Sequence, residues 1–130
     1  MRAMEPGVIS PPRRALLVDD SAAVHEQLAA FLKPHGFEVE HAENGAVALR
    51  LLIAKRFDVT FLDIEMPVLD GPSLLRVIRA RGNDTLLVLV TSTTDAKRLV
   101  PIIKLGASDY IRKPFGESDV RDVLGRLNLV

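Results

Sequence analysis

Five times between Ala15 and Leu127 a short apolar run is followed, after a few residues, by a segment whose apolar residues recur at helical spacing. Strands joined through helices run parallel, because each connection carries the chain back to the same end of the sheet, and parallel strands need cover on both faces. The pattern predicts an α/β fold, a doubly wound five-stranded parallel sheet with helices on both faces. Right-handed crossovers then gather the carboxyl ends of the strands at one edge, so polar residues just past each strand meet there.

The strands are expected over 15–18, 37–41, 57–62, 86–90 and 110–111. The first helix places Val24, Leu28, Phe31 and Leu32 inward and is ended by Pro34 and Gly36. The second starts at Asn44 and buries Val47, Ala48, Leu51 and Leu52; Asn44-Gly45 could instead turn a hairpin, but the helical spacing after it argues against that. Leu74, Leu75 and Ile78 face inward from the third helix, and Leu99, Ile102, Ile103 and Leu105 from the fourth, which has several caps between Thr91 and Asp95 and closes at Gly106. Pro101 is out of place there, because it lacks an amide donor and crowds the carbonyl four residues back. Either that helix kinks or its first turn begins near Pro101. Val120, Val123, Leu124 and Leu127 form the stripe of the last helix.

Residues 1–14 hold Pro6, Gly7, Pro11 and Pro12 without an apolar period and read as a flexible N-terminal arm, leaving 15–130 as the one domain that 130 residues can support. Lys and Arg balance Asp and Glu at 17 each, so no strong field draws the chain to nucleic acid or an anionic membrane. There is no cysteine, which removes disulfides, thiolate catalysis and sulfur-ligated metals. No apolar run approaches the roughly 20 residues of a membrane span. The expectation is a cytoplasmic protein with no membrane insertion and no direct nucleic acid binding. His25, His35 and His41 show no metal-ligand spacing and read as surface or packing residues.

What stands past the strands carries the chemistry. Asp19 and Asp20 follow the first, Asp63 the third, Thr91 the fourth and Lys113 the fifth. Alone, an Asp pair is a turn or a helix cap, as is Thr91, and Lys113 is a solvated lysine. Together the three carboxylates repel one another unless protons or a cation intervene, and an all-oxygen set with retained water suits Mg2+. Asp63 is the candidate nucleophile, since Asp19 and Asp20 hold the ion while Asp63 can ligate it and still present its second oxygen to phosphorus. The Thr91 hydroxyl can donate to a phosphoryl oxygen. A cis Lys113-Pro114 bond is one way to aim the ammonium at charge building on the transferred group.

The segments DDS at Asp19, DIEMPVLDG at Asp63, VTS at Val90 and GASDYIRKPF at Gly106 resemble the CheY-like receiver domain of two-component response regulators, from Ala15 to the end of the last helix. The resemblance implies a flavodoxin-like sheet of strand order 2-1-3-4-5. It makes Asp63 the phospho-acceptor, and Asp19, Asp20, Asp63 and the main-chain carbonyl of Glu65 the metal ligands. It makes Thr91 and Lys113 the phosphoryl-holding pair, and Tyr110 the aromatic that turns inward on phosphorylation. The implied partners are a histidine kinase or phosphotransfer protein and a downstream protein target that reads the fourth helix, fifth strand and fifth helix. A stand-alone receiver without an output domain is expected, a regulatory phospho-acceptor catalysing only its own phosphorylation and dephosphorylation.

Two rivals share parts of this pattern. A haloacid dehalogenase-type phosphatase also joins aspartate, magnesium, hydroxyl and lysine, but carries DxDx[TV] after its first strand, which Asp19-Asp20-Ser21 does not match. A degenerate receiver that only binds partners would lack an acidic residue or the lysine, and here the set is complete.

Overall fold

The computed structural model describes residues 12–64 and 71–130. Its strands are β1 (Arg14–Val18), β2 (Glu38–Ala42), β3 (Val59–Asp63), β4 (Leu86–Thr91) and β5 (Asp109–Arg112). Between and after them lie α1 (Ala22–Leu32), α2 (Gly45–Ala54), α3 (Gly71–Ala80), α4 (Ala96–Lys104) and α5 (Glu117–Arg126). The strands form one parallel sheet in the order β2-β1-β3-β4-β5, the expected doubly wound topology.

The pleat divides the core. Ala15 and Leu17 of β1, Phe61 of β3 and Val88 and Val90 of β4 pack with Leu28 and Leu32 of α1 and Val120, Val123 and Leu124 of α5. Leu16, Val18, Leu62, Leu87 and Leu89 point the other way, against α2, α3 and the buried Leu99 and Ile102 of α4. The central strands are continuous apolar runs because both faces are covered. Leu16, Leu62, Leu74 and Leu87 are each fully buried, and truncating any of them to Ala costs about 2–5 kcal/mol. The edge strand β2 instead carries charge, with Glu40 paired to Lys55 at 2.9 Å and Glu38 to Arg14 at 3.5 Å, which discourages pairing with another sheet.

Helix starts follow the expected caps. Ser21 Oγ accepts from the Val24 amide, Asn44 Oδ1 from Val47 and Asp95 Oδ1 from Lys97. Asn44-Gly45 therefore opens α2 and is not a hairpin turn. Lys33–His35 add one tight turn after α1, stopped by Gly36 at a φ of 84°.

Some details differ from expectation. α4 does not begin at Pro101; it begins at Ala96 and contains the proline. Ile103 is 40% exposed, because this helix meets the sheet only along the Leu99 and Ile102 line and Ile103 lies about 100° further round. β5 runs from Asp109 to Arg112 because its pairing with β4 uses the backbone, whatever the polarity of the end residues. The far end of α4 is held by Arg79, whose guanidinium donates to the carbonyls of Asn83, Thr85 and Gly106 at 2.8–2.9 Å. Of the expected arm, Arg14 opens β1, the Arg13 side chain bonds the Leu129 carbonyl, and residues 1–11 lie outside the described residues. Among the described residues no helix is long and apolar enough to cross a membrane.

Candidate functional site

Because β1 lies between β2 and β3, the residue that follows β1 and the last residue of β3 must be neighbours. Val18 pairs with Leu62, so Asp19 and Asp63 come next on adjacent strands. The Asp19 amide donates to the Ala42 carbonyl at 3.1 Å, which continues the β1–β2 pairing and fixes the backbone, and Asp19 Oδ1 accepts from the Ser21 amide at 2.8 Å. Asp20 then turns outward to solvent at the mouth of the site. Oxygens of Asp19, Asp20 and Asp63 all lie within 4.8 Å of one another, close enough to share one metal ion.

Asp63 pairs with Val90 and Thr91 with Arg112, so Thr91 and Lys113 arrive at the same edge from the other side. The Lys113 amide donates to the Thr91 carbonyl at 2.7 Å. Lys113 Nζ donates to Asp19 Oδ2 at 2.9 Å and stands 3.7 Å from Asp63 Oδ2. The Lys113-Pro114 bond is cis. Three carboxylates face one ammonium in this cluster among the described residues, a balance that leaves room for a divalent cation. Among the described residues the donor set is carboxylate oxygen, with Asp20 exposed to solvent, which fits a hard ion that keeps some of its water.

Thr91 is buried, and its Oγ1 accepts from the Thr93 amide at 3.1 Å. Its hydroxyl therefore shapes the turn before α4, while Asp95 caps the helix. Tyr110, one strand over, is 48% exposed. An open cleft of about 680 Å³ lies between β5 and α5, lined by Tyr110, Arg112, Asp122 and Arg126 among others. Glu65 lies outside the described residues, so its carbonyl has no placement here.

Five candidate residues, Asp19, Asp20, Asp63, Thr91 and Lys113, thus gather at one sheet edge. The histidines read from sequence as surface or packing residues, and two of them pack together beside the site. His25 Nε2 lies 2.7 Å from the Asp19 carbonyl, and its Nδ1 lies 2.7 Å from His41 Nδ1. The available signal was the β2 alternation, which puts Val39 and His41 on the face that α1 covers.

Comparison with known proteins agrees with the fold. Residues 15–125 match the sequence model of the family described as "Response regulator receiver domain". The "Transcriptional regulatory protein PrrA" of Mycobacterium tuberculosis is 42% identical over 112 residues, which are 86% of this chain and 47% of that protein. The chain therefore spans about half the length of such curated relatives. Among solved structures, the chemotaxis protein CheY4 of Vibrio cholerae superposes with a TM-score of 0.83 at 29% identity, over 89% of this chain and 98% of that one. The receiver domain of the sensor histidine kinase PA1611 from Pseudomonas aeruginosa PAO1, which has a magnesium ion in its active site cleft, gives 0.80 at 29% identity, over 89% and 97%.

Proposed function

Since this chain belongs to the response regulator receiver family, we propose that residues 15–130 are a switch in which Asp63 accepts a phosphoryl group from the phosphohistidine of a histidine kinase or phosphotransfer protein. The observation that carries this is the convergence of Asp63 and Asp19 on the single ammonium of Lys113.

The Asp63 carboxylate oxygen attacks phosphorus, the P–N bond to the donor imidazole breaks, and that nitrogen leaves with the bonding pair, already protonated or taking a proton from water. Asp19, Asp20 and Asp63 would hold Mg2+, with the Glu65 carbonyl the further ligand that the family resemblance implies, and the bound ion would screen the carboxylates and the incoming phosphoryl oxygens from one another. Lys113 contributes a fixed positive charge beside the oxygens that gain charge in the transfer. Afterwards the Thr91 hydroxyl leaves the Thr93 amide to donate to the phosphoryl group. The β4–α4 turn follows, and Tyr110 rotates into the space released. Altered packing of α4, β5 and α5 changes the affinity of a downstream protein target for that surface. The donor and the target meet these residues in the cytoplasm, and no nucleic acid contact is placed on them, consistent with the balanced charge of the chain.

The decisive experiment is incubation with acetyl phosphate, with and without magnesium, followed by intact mass measurement. Wild type should gain one phosphoryl group only with the metal, and Asp63→Asn none. Equal labelling of the variant removes Asp63 from its role.

A further inference from the structure

We propose that His25 and His41 form a second metal site, distinct from the carboxylate cluster and suited to a borderline divalent cation such as zinc. The two residues are 16 positions apart, one on α1 and one on the edge strand β2, yet their Nδ1 atoms face each other at 2.7 Å with ring centroids 4.8 Å apart. The Asp19 carbonyl can only accept, so His25 Nε2, 2.7 Å away, carries the proton and His25 Nδ1 presents a lone pair. A backbone carbonyl on the remote ring nitrogen is the arrangement that orients metal-bound histidines and raises their basicity.

In the metal-free protein the proton on His41 Nδ1 bridges the pair. To ligate through Nδ1, His41 moves that proton to Nε2 through solvent, so a cation enters without net proton release. Two nitrogens on a tetrahedral zinc, each at about 2.0–2.1 Å, stand about 3.3 Å apart. The two Nδ1 atoms meet almost head-on, as a hydrogen bond requires, whereas on a tetrahedral zinc their lone pairs converge at about 109°, so besides opening by roughly half an ångström the exposed His41 ring has to turn by several tens of degrees. Burial, then His25, then Lys33 hold the His41 pKa below its ordinary value, which keeps the imidazole neutral and able to bind a cation. Lys33 also opposes an incoming cation, and among the described residues no third imidazole or carboxylate joins the pair. Water completes the coordination, and the affinity is that of a two-ligand site. The choice of metal follows from donor type: nitrogen favours zinc over magnesium, and the carboxylate cluster favours the reverse.

The test is titration of zinc chloride into the full chain at neutral pH in excess magnesium, followed by calorimetry and by proton–nitrogen imidazole spectra. Expected are one zinc per chain, joint displacement of the His25 and His41 Nδ1 signals with His35 unmoved, and binding at least about tenfold weaker in His41→Ala. His25→Ala should weaken it from the other side, and Asp63→Asn should leave it unchanged. Unmoved imidazole signals in wild type, or zinc binding by His41→Ala equal to wild type, would overturn the site.

Discussion

Lys113 Nζ lies 2.9 Å from Asp19 Oδ2, an ion pair whose carboxylate side is almost fully buried while the lysine stem remains a quarter exposed. Without metal this ammonium is what offsets the clustered carboxylates. Lys113→Ala should therefore lower the stability of the metal-free protein by about 1–3 kcal/mol, the cost of a buried charge that loses its partner. The same change removes a positive charge beside the cation site, so magnesium should bind about threefold to tenfold more tightly. Urea unfolding in EDTA and a magnesium titration read the two effects. Weaker magnesium binding in the variant would mean that Lys113 organises the ligands instead of competing with the ion.

Magnesium should stabilise the fold through the same cluster. At about a hundred times its dissociation constant it adds about 2.7 kcal/mol, which for a chain of this size raises the melting temperature by about 10 °C. EDTA should remove that increment. Asp20 is exposed and its loss disturbs no packing, so Asp20→Ala should melt near the metal-free wild type and respond little to magnesium. Superimposable wild-type melts with and without magnesium would leave the cluster without a metal role.

The convergence of Asp19, Asp63 and Lys113 was legible because parallel strands give every strand end the same address, whatever lies between them in sequence. The inward faces of α1, α2 and α3 were legible for the same kind of reason, since periodicity encodes one buried stripe. Ile103 was misread because periodicity does not report how little of α4 meets the sheet. The His25–His41 contact was legible only in part, since the β2 alternation puts His41 on the face that α1 covers but the meeting with His25 depends on the register of an edge strand against a helix across the end of β1. Thr91 ends β4 at the expected sheet edge and its hydroxyl makes the local turn that a Thr favours on its own, so the turn role was legible while a role toward a phosphoryl group is not separated from it by local preference.

His41 gives stability a pH dependence whose sign follows from its environment. Its folded pKa lies below the ordinary 6.5, so the unfolded chain binds the proton more readily. Above 6.5 neither state holds that proton and this contribution to stability is complete. As pH falls from there toward the lower folded value stability declines, and below it the loss levels off. His41→Gln should flatten this part of the curve when urea midpoints are compared from neutral pH down to about pH 5. Parallel curves for the two proteins would exclude His41 as the source.

Thr91 separates a structural role from a switching one. Thr91→Val keeps the shape but strands the Thr93 amide, which should cost about 1–2 kcal/mol in urea unfolding. Thr91→Ser keeps the acceptor and should lose well under half as much. With beryllofluoride and magnesium as a phosphoryl mimic, Tyr110 fluorescence or proton signals should respond in the Ser variant and not in the Val variant. A full Tyr110 response in Thr91→Val would detach the hydroxyl from the switch.

Pro101 is the sixth residue of α4 and has no amide proton to give the Lys97 carbonyl. A proline in an exposed helix interior costs about 3 kcal/mol relative to alanine, partly offset because it also restricts the unfolded chain. Its neighbours Val100 and Ile103 are exposed, so Pro101→Ala removes no core contact. The substitution should stabilise the protein by about 1–2 kcal/mol and restore one helical hydrogen bond. The first turn of α4 should exchange its amide protons readily in wild type, between Asp95 and Val100, and more slowly in the variant. A tighter α4 should also resist the rearrangement that follows phosphorylation, so the variant should take up phosphate at Asp63 normally yet show a smaller Tyr110 response. Strong, uniform protection of residues 95–100 in wild type would show that the proline is accommodated without loosening the helix.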